Sequence, residues 1–329
     1  MKLHYAIEQD LPDYLNNNQG HVLAVVAFGH PAPSAAASVC LQVDIPVLGP
    51  HNNSYEIWTS QKPVSPFDDN AIAGAYDGDV LFGRLRVAQQ PGEQLEALAA
   101  RGYKQIFDCI DRRGYGYLLR VWHYFPQIND SEQGLERYRR FNMGRHDAFV
   151  ASGRGISEET APAASALGSN SGALMIYFLA GRQPGQPVEN PRQTSAYRYP
   201  TLYGPRSPIF ARALAAQIGA QHCYFISGTA SIVGYETLHQ GDLAGQTRET
   251  LLNIRTLLEQ VPQQGDAQLL LKVYLRNATD LAQVRALVEE EFGSGAKAVY
   301  LHSNICRSDL LIEIEGVCFN QANAAPQST

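Results

Sequence analysis

Long apolar runs, closely spaced cysteines and a large excess of either charge are all missing from this sequence of 329 residues. No apolar run approaches the roughly 20 residues that a membrane-spanning helix needs, so a transmembrane protein is not expected. The first fifteen residues carry charges and a proline where a signal peptide needs an apolar core, and we expect a cytoplasmic protein.

The cysteine spacing argues against a metal site, and the net charge argues against binding to nucleic acid. The five cysteines are Cys40, Cys109, Cys223, Cys306 and Cys318. No two of them have C-x-x-C spacing, so no zinc or iron–sulfur site is expected. Their odd number in a chain expected to be cytoplasmic predicts free thiols. No phosphate-binding glycine loop, nucleophile elbow or metal-binding histidine pair stands out. The net charge of -6 gives no general attraction for nucleic acid, and an anionic ligand would need local arginines.

The C-terminal third has the clearest periodicity. Apolar residues at i, i+3, i+4 and i+7 predict a helix through Ile254, Leu257, Leu258 and Val261. The remaining elements alternate around it, with strands at 222–226, 228–234, 269–275, 296–305 and 310–318 and a second helix at 281–292. This order is β-β-α-β-α-β-β.

The first half of the chain echoes this order. The segment 118–130 resembles 269–280, and 172–181 matches the closing strand at 310–318. Further strands are predicted at 22–28, 39–47 and 79–87, and helices at 93–112 and 135–150. We therefore predict an α+β fold of two duplicated units, spanning 1–195 and 196–319, with a disordered tail at 320–329. Chance similarity of two common strand–helix pairs is the alternative.

The run SGTASIVGYETLHQGDLAGQTRETLLNI at 227–254 resembles the signature of the reactive intermediate deaminase superfamily, the YjgF-like proteins. Its glycines permit tight turns, and Asp242 precedes a helix that its carboxylate can cap. The superfamily's deaminases hold a substrate carboxylate with an arginine on the penultimate strand. No arginine lies between Lys297 and Ile305 here, which argues against an imine or enamine deaminase.

Three further motifs together resemble the chorismatases, two-part members of the same superfamily. They are RYRRFNMGRHDAF at 137–149, QTSAYRYPTLYGPRSPIFARA at 193–213 and SNICRSDLLIEIEG at 303–316. The resemblance implies YjgF-like (chorismate-mutase-like) units that cleave the enolpyruvyl ether of chorismate, with chorismate as the small-molecule partner. It also implies a substrate-binding set of Asn142, Arg145, Tyr197, Arg198, Tyr199, Tyr203, Arg206, Arg212 and Gly228.

The final strand carries the candidate acid. Period-two alternation places Ile312 and Ile314 on one face of the sheet and Glu313 and Glu315 on the other. Two neighbouring carboxylates would raise the pKa of one of them, and carbon protonation needs such an acid. By the resemblance, Glu313 protonates the enolpyruvyl methylene. Protonation of an enol ether needs neither redox nor metal chemistry, so the resemblance also implies no cofactor and no metal. A solvated strand face is the alternative interpretation.

Cys306, seven residues before Glu313, bears on the product. In the aromatising branch of the family a cysteine stands at this position, so the resemblance favours pyruvate and 3-hydroxybenzoate. A dihydroxylated cyclohexadiene acid and a mixture with 4-hydroxybenzoate remain open, as does a purely structural cysteine. The competing functions are a deaminase on the same scaffold and a non-catalytic protein that binds an aromatic ligand. A homotrimer and a monomer are both open.

Overall fold

An additional small sheet precedes the duplicated units. The computed structural model describes residues 1–29, 40–69, 71–260, 268–293 and 296–321, with 320 and 321 described by their backbone alone. The first sheet has the order β1-β4-β2-β3 and consists of β1 (Lys2–Ala6), β2 (Val22–Gly29), β3 (Cys40–Val43) and β4 (Asn53–Thr59). Helix α1 (Leu11–Asn17) packs Leu11 against this sheet.

The first duplicated unit is a six-stranded sheet with two helices on one face. Its elements are β5 (Ser65–Asp68), β6 (Ala73–Tyr76), β7 (Val80–Val87), α2 (Leu95–Arg113), β8 (Tyr117–Pro126), the small hairpin β9 (Ser131–Glu132) and β10 (Leu135–Glu136), α3 (Arg137–Ala151), β11 (Ala163–Ser169) and β12 (Leu174–Gly181). The strand order is β11-β8-β12-β7-β6-β5. Apolar residues of α2 and α3 pack against alternate residues of the sheet.

The second duplicated unit repeats this plan. Its elements are β13 (Gln186–Val188), β14 (Ala213–Ile218), β15 (Gln221–Thr229), the small hairpin β16 (Ile232–Val233) and β17 (Glu236–Thr237), α4 (Leu243–Leu258), β18 (Gln268–Leu275), α5 (Leu281–Phe292), β19 (Lys297–His302) and β20 (Ile312–Gln321). The strand order is β13-β14-β15-β20-β18-β19. Asp242 caps α4, because its carboxylate accepts the amide proton of Gly245.

The two six-stranded sheets match strand for strand. Reading each from its edge, β11-β8-β12-β7-β6-β5 corresponds to β19-β18-β20-β15-β14-β13, and each sheet has one parallel pair, β8–β11 or β18–β19. The matched segments of the sequence become β8 and β18, and β12 and β20. The predicted α+β fold of two duplicated units is confirmed.

Several details differ from the prediction. The segments 22–28 and 39–47 were expected in the first unit but contribute β2 and β3 to the separate first sheet, whereas β5 and β6 fill their place. The strand predicted at 228–234 is the end of β15 followed by β16, and the strand before it, β14, was not predicted. The register of β15 against β20 shifts between Ile226 and Thr229, and this irregularity around Gly228 resembles a turn in the sequence.

The predicted boundaries can be placed on these elements. Residue 195 lies between β13 and β14, which pair with each other in the third sheet. The tail expected from residue 320 begins with the last two residues of β20, and 322–329 lie outside the described residues, as does Val261.

The core lies between the sheets. The faces of the duplicated sheets that are free of helices, together with the first sheet, enclose large aromatic side chains: Trp58, Phe82, Trp122, Tyr177, Phe225 and Tyr274. Polar groups on these inner faces therefore lie deep between two units of one chain.

Among the described residues, no helix has the length and apolar character to cross a membrane.

Candidate active site

Glu313 faces the first duplicated unit from the middle of the molecule. Ile312 and Ile314 pack with the apolar residues of α4 and α5, and Glu313 and Glu315 point to the opposite face of β20, as the alternation predicted. Glu313 is only 3% exposed and lies in the wall of a cavity of about 260 Å³. The alternative interpretation of a solvated strand face is therefore wrong.

The environment of Glu313 favours its neutral form. Burial and the charge of Glu315 raise the pKa of Glu313 to about 8, against smaller opposing effects of the Cys306 hydrogen bond and of Arg120. The thiol of Cys306 lies 3.7 Å from Glu313 Oε2 and can donate a hydrogen bond to it. Burial and the Glu313 carboxyl raise the pKa of Cys306, so this thiol stays protonated. At neutral pH these effects together favour the protonated form of Glu313.

Glu315 has the opposite state, although it lies two residues away. Burial would raise its pKa, but Lys272 and Arg120 reverse this and lower it. Lys272 Nζ and Arg120 Nη2 each lie 2.6 Å from a Glu315 oxygen, and Trp122 Nε1 donates a hydrogen bond at 2.8 Å. Glu315 is therefore a fixed negative charge behind Glu313.

Gly228 makes room for the acid. A Cβ atom at this position would lie 2.0 Å from Glu313 Oε1, closer than any real contact. Because glycine has no side chain, β15 can approach the carboxyl group of Glu313, and Gly228 itself lines the cavity.

Six of the predicted site residues line this cavity. They are Tyr199, Tyr203, Arg212, Gly228, Cys306 and Glu313. Arg212 is 3% exposed, and its Nη2 donates to the Tyr199 hydroxyl at 2.8 Å and to the Thr194 carbonyl oxygen at 2.6 Å. Its Nε is buried and has no hydrogen-bond partner in the part of the chain that the structure describes. The guanidinium therefore keeps donor capacity for an anion.

Asn142 and Arg145 line a recess of about 30 Å³ that shares Glu313, Cys306 and Gly228 with the main cavity. Both side chains project from α3 and are 2% exposed. Asn142 Nδ2 and Arg145 Nε and Nη2 have no hydrogen-bond partner among the described residues. Buried donors without partners are costly, so these groups are suited to receive the oxygens of a carboxylate.

Tyr197, Arg198 and Arg206 are not brought to the cavity. A single 3-10 turn at Ala196–Arg198 buries Ala196, and Tyr199 after it is buried too. Tyr197 and Arg198, which lie between them, are outside the cavity lining. Arg198 pairs with Glu158 and its side chain is 64% exposed. Arg206 is exposed, and Tyr197 is half-buried away from the cavity lining.

Several residues of the site were not selected from the sequence. Tyr138, Phe210 and Arg307 line the cavity, and each lies inside a motif that had been singled out. Arg120 and Lys272 lie behind the site, and each is a lone cation in an otherwise apolar strand, in LLRV at 118–121 and LLKV at 270–273. That repeated pattern is the signal that could have identified them.

Comparison with known proteins gives a consistent family. Residues 56–180 match the family model described as chorismatase FkbO/Hyg5-like, N-terminal. A 3-hydroxybenzoate synthase from Streptomyces hygroscopicus is 35% identical over 93% of this chain and 96% of its own length. A chorismatase from Streptomyces rapamycinicus is 39% identical over 80% of this chain and 81% of its own.

A solved structure covers the same extent. The crystal structure of a chorismatase at 1.08 Å resolution aligns with a TM-score of 0.84 and 33% sequence identity, over 96% of this chain and 97% of the other. The resemblance stated from the three sequence motifs is confirmed, including the fold of two YjgF-like units. On these grounds the chain belongs to the chorismatase family.

Proposed function

We propose that this protein cleaves the enolpyruvyl ether of chorismate into pyruvate and 3-hydroxybenzoate. The observation that carries the proposal is a protonated, buried carboxylic acid, Glu313, in a cavity that also contains guanidinium groups with unused donors. An enol ether needs proton delivery to carbon, and a doubly anionic ligand needs cationic donors. The site contains both.

Two groups of donors suit the two carboxylates of chorismate. The recess formed by Asn142 and Arg145 suits one of them, because its buried donors have no partner among the described residues. Arg212 and Arg307 suit the other, since both line the main cavity and each keeps one buried nitrogen without a partner in the described chain. The aromatic rings of Tyr199 and Tyr203 lie beside Arg307 and would pack against the ligand.

In the proposed reaction, Glu313 delivers its proton to the methylene carbon of the enolpyruvyl group. The ether carbon of that group becomes oxocarbenium-like. The neighbouring ring hydroxyl attacks the ring carbon that bears the ether oxygen, the bond between that carbon and the ether oxygen breaks, and its electron pair forms the keto group of the departing pyruvate. The hydroxyl proton returns to Glu313. The resulting epoxide opens at the carbon that carried the hydroxyl, and the hydrogen lost from the other epoxide carbon as a proton is balanced by protonation of the oxygen, which gives the aromatic 3-hydroxybenzoate.

This route consumes no water, whereas the dihydroxylated cyclohexadiene acid forms by addition of water. Because Glu313 is buried and the thiol of Cys306 lies beside it, the site excludes water and favours the aromatic product.

The site is assembled within a single chain. Glu313 and Gly228 come from the second duplicated unit, whereas Asn142 and Arg145 come from α3 of the first. We infer that a monomer suffices for catalysis. The contact between the two units takes the place that a subunit contact would otherwise occupy.

The test is incubation of the purified protein with chorismate, followed by chromatography of the products. We expect equal amounts of pyruvate and 3-hydroxybenzoate, with one deuterium in the pyruvate methyl group when the solvent is D₂O. Glu313→Gln should reduce kcat by about 100-fold or more, the usual contribution of a general acid. Glu290→Gln is the matched control, because Glu290 is exposed on α5.

Other outcomes separate the competing functions. Near-normal turnover by Glu313→Gln would contradict the mechanism, and a cyclohexadiene diol would assign the hydrolytic branch. Binding of chorismate without turnover would indicate a non-catalytic binding protein. Turnover of 2-aminoacrylate in place of chorismate would indicate a deaminase.

A further inference from the structure

A buried histidine lies behind the Arg145 recess. His123 on β8 has no solvent exposure, and its two ring nitrogens contact different partners. Nδ1 lies 2.7 Å from the backbone carbonyl oxygen of Ser165, and Nε2 lies 2.7 Å from the hydroxyl oxygen of Tyr103 on α2. Neither His123 nor Tyr103 lines the cavity, so neither can touch the substrate.

These contacts fix the proton positions. A carbonyl oxygen only accepts hydrogen bonds, so His123 Nδ1 carries the proton. Burial and the charge of Arg145 hold the pKa of His123 well below its usual value, and the ring is neutral. In a neutral imidazole with a proton on Nδ1, Nε2 is an acceptor. Tyr103 must therefore donate its hydroxyl hydrogen to His123, which leaves the lone pairs of the phenol oxygen directed elsewhere.

Arg145 lies next to this phenol. Its guanidinium carbon is 5.3 Å from the ring centroid of Tyr103 and 5.9 Å from that of Phe149. Burial raises the pKa of Tyr103 to about 12, and the positive charge of Arg145 beside the ring opposes part of that shift. Within the described ranges, the groups that act on the charge of Arg145 are Tyr103, Tyr138 and Arg120, and no carboxylate is among them. The side chains around the guanidinium therefore do not neutralise its charge.

We propose that His123 and Tyr103 are positioning residues, which orient Arg145 toward a carboxylate of the substrate through the series Ser165 carbonyl, His123, Tyr103, Arg145. This inference rests on the proposed function, because it assumes that Arg145 binds the substrate. A neutral series suits this role, since an acidic partner would neutralise the guanidinium that the substrate needs.

The test compares KM and kcat of Tyr103→Phe with those of the unaltered protein. Loss of the hydroxyl should raise KM for chorismate about 2- to 10-fold, the range expected for one hydrogen bond, and change kcat by less than about twofold. Tyr115→Phe is the matched control. The Tyr115 hydroxyl is buried like that of Tyr103, but it has no hydrogen-bond partner among the described residues. The control should leave both constants unchanged.

A double-mutant cycle shows whether Tyr103 acts through Arg145. Arg145→Met should raise KM about 10- to 100-fold, the range expected for hydrogen bonds to a charged group. When Tyr103→Phe is added to Arg145→Met, the further change should be less than about twofold. Additive effects, or an unchanged KM for Tyr103→Phe alone, would overturn the positioning role while the proposed function stands. No effect of Arg145→Met on turnover of chorismate would instead refute the assigned substrate site.

A measurement on the unaltered protein keeps the inference testable if a variant does not fold. In a protein labelled with ¹⁵N-histidine, the NMR spectrum of His123 should show a protonated Nδ1 and an unprotonated Nε2. A proton on Nε2, or on both nitrogens, at neutral pH would contradict the series.

Discussion

At the scale of single residues, the contrast between Glu313 and Glu315 carries the chemistry. Both are buried on the same face of β20, but within the described part of the chain only Glu315 forms ion pairs, with Lys272 and Arg120. The cations keep Glu315 ionised, and its charge in turn holds the proton on Glu313. One strand thus contributes a fixed negative charge, Glu315, and the proposed acid, Glu313, two residues apart.

The raised pKa of Glu313 predicts how activity and stability depend on pH. The proposed reaction needs the protonated acid, so kcat should fall about tenfold per pH unit above about pH 8. Folding raises this pKa from 4.5 to about 8, so between these values the folded state binds more protons than the unfolded state. The free energy of unfolding should therefore decrease as pH rises through that window.

The variant Glu313→Gln isolates this effect on stability. Relative to the unaltered protein, its free energy of unfolding should increase between about pH 4.5 and pH 8, by up to about 1.4 kcal/mol per pH unit. Urea denaturation at several pH values measures the difference. An equal difference at pH 5 and pH 8 would mean that Glu313 titrates normally.

At the scale of elements, the close contact of α2 and α3 holds Asn142 and Arg145 in place. A Cβ atom at Gly144 would lie 1.8 Å from the backbone carbonyl oxygen of Glu96. Only glycine allows the two helices to approach this closely. Both side chains of the recess flank this contact on α3, so the packing of α3 fixes where the recess donors point.

Gly144→Ala should therefore be destabilising even though alanine favours helices. The gain in helix propensity is about 1 kcal/mol, whereas overpacking against backbone costs about 1–3 kcal/mol and would displace α3. We expect a lower melting temperature and a higher KM for chorismate. Gly116→Ala is the control, since Gly116 is exposed and a Cβ atom there would have no described atom within 4 Å. Equal stability of the two variants would contradict this role of the helix contact.

At the scale of the whole molecule, a buried network of charges joins the four-stranded first sheet to the two six-stranded sheets. Lys272 Nζ lies 2.7 Å from Glu56 Oε2 and 2.6 Å from Glu315 Oε1, and Arg120 completes the set on the other side of Glu315. Glu56 belongs to the first sheet, Arg120 to the second, and the remaining two to the third. Two carboxylates and two cations balance, which makes their burial tolerable.

Removal of one cation should break that balance. Lys272→Met leaves Glu56 and Glu315 with one cation between them, and we expect a loss of about 3–5 kcal/mol in the free energy of unfolding. Adding Glu56→Gln should recover part of this loss, because the number of buried charges is balanced again. Lys104→Met, whose side chain is 75% exposed, is the control for loss of a surface cation. Urea denaturation of the four proteins measures these differences, and a loss below about 1 kcal/mol would argue against a structural role.

The sequence was informative wherever a local pattern had a local cause. The alternation in β20 assigned Glu313 to the inner face, and the helix periods located α4 and α5. It was uninformative for β14, because the alanine-rich segment ALAAQI has little strand preference of its own and forms a strand by pairing with β13 and β15. It also could not separate Arg212 from Arg198, because Arg198 lies in a 3-10 turn outside the cavity lining whereas Arg212 lies beside β14 and lines the cavity, and neither placement follows from the local sequence.

By itself the sequence determined the duplicated fold, the family and the inward face of Glu313 on the last strand, because periodicity and motifs depend only on residues that are near in the chain. Tertiary structure alone decided that Glu315 is ionised while Glu313 is protonated, and that Arg145 keeps donors for a ligand. Those states depend on burial and on partners from distant segments, such as Arg120 and His123. The physical reason is that electrostatic energy depends on distance in space and on exclusion of water, which separation along the chain does not specify.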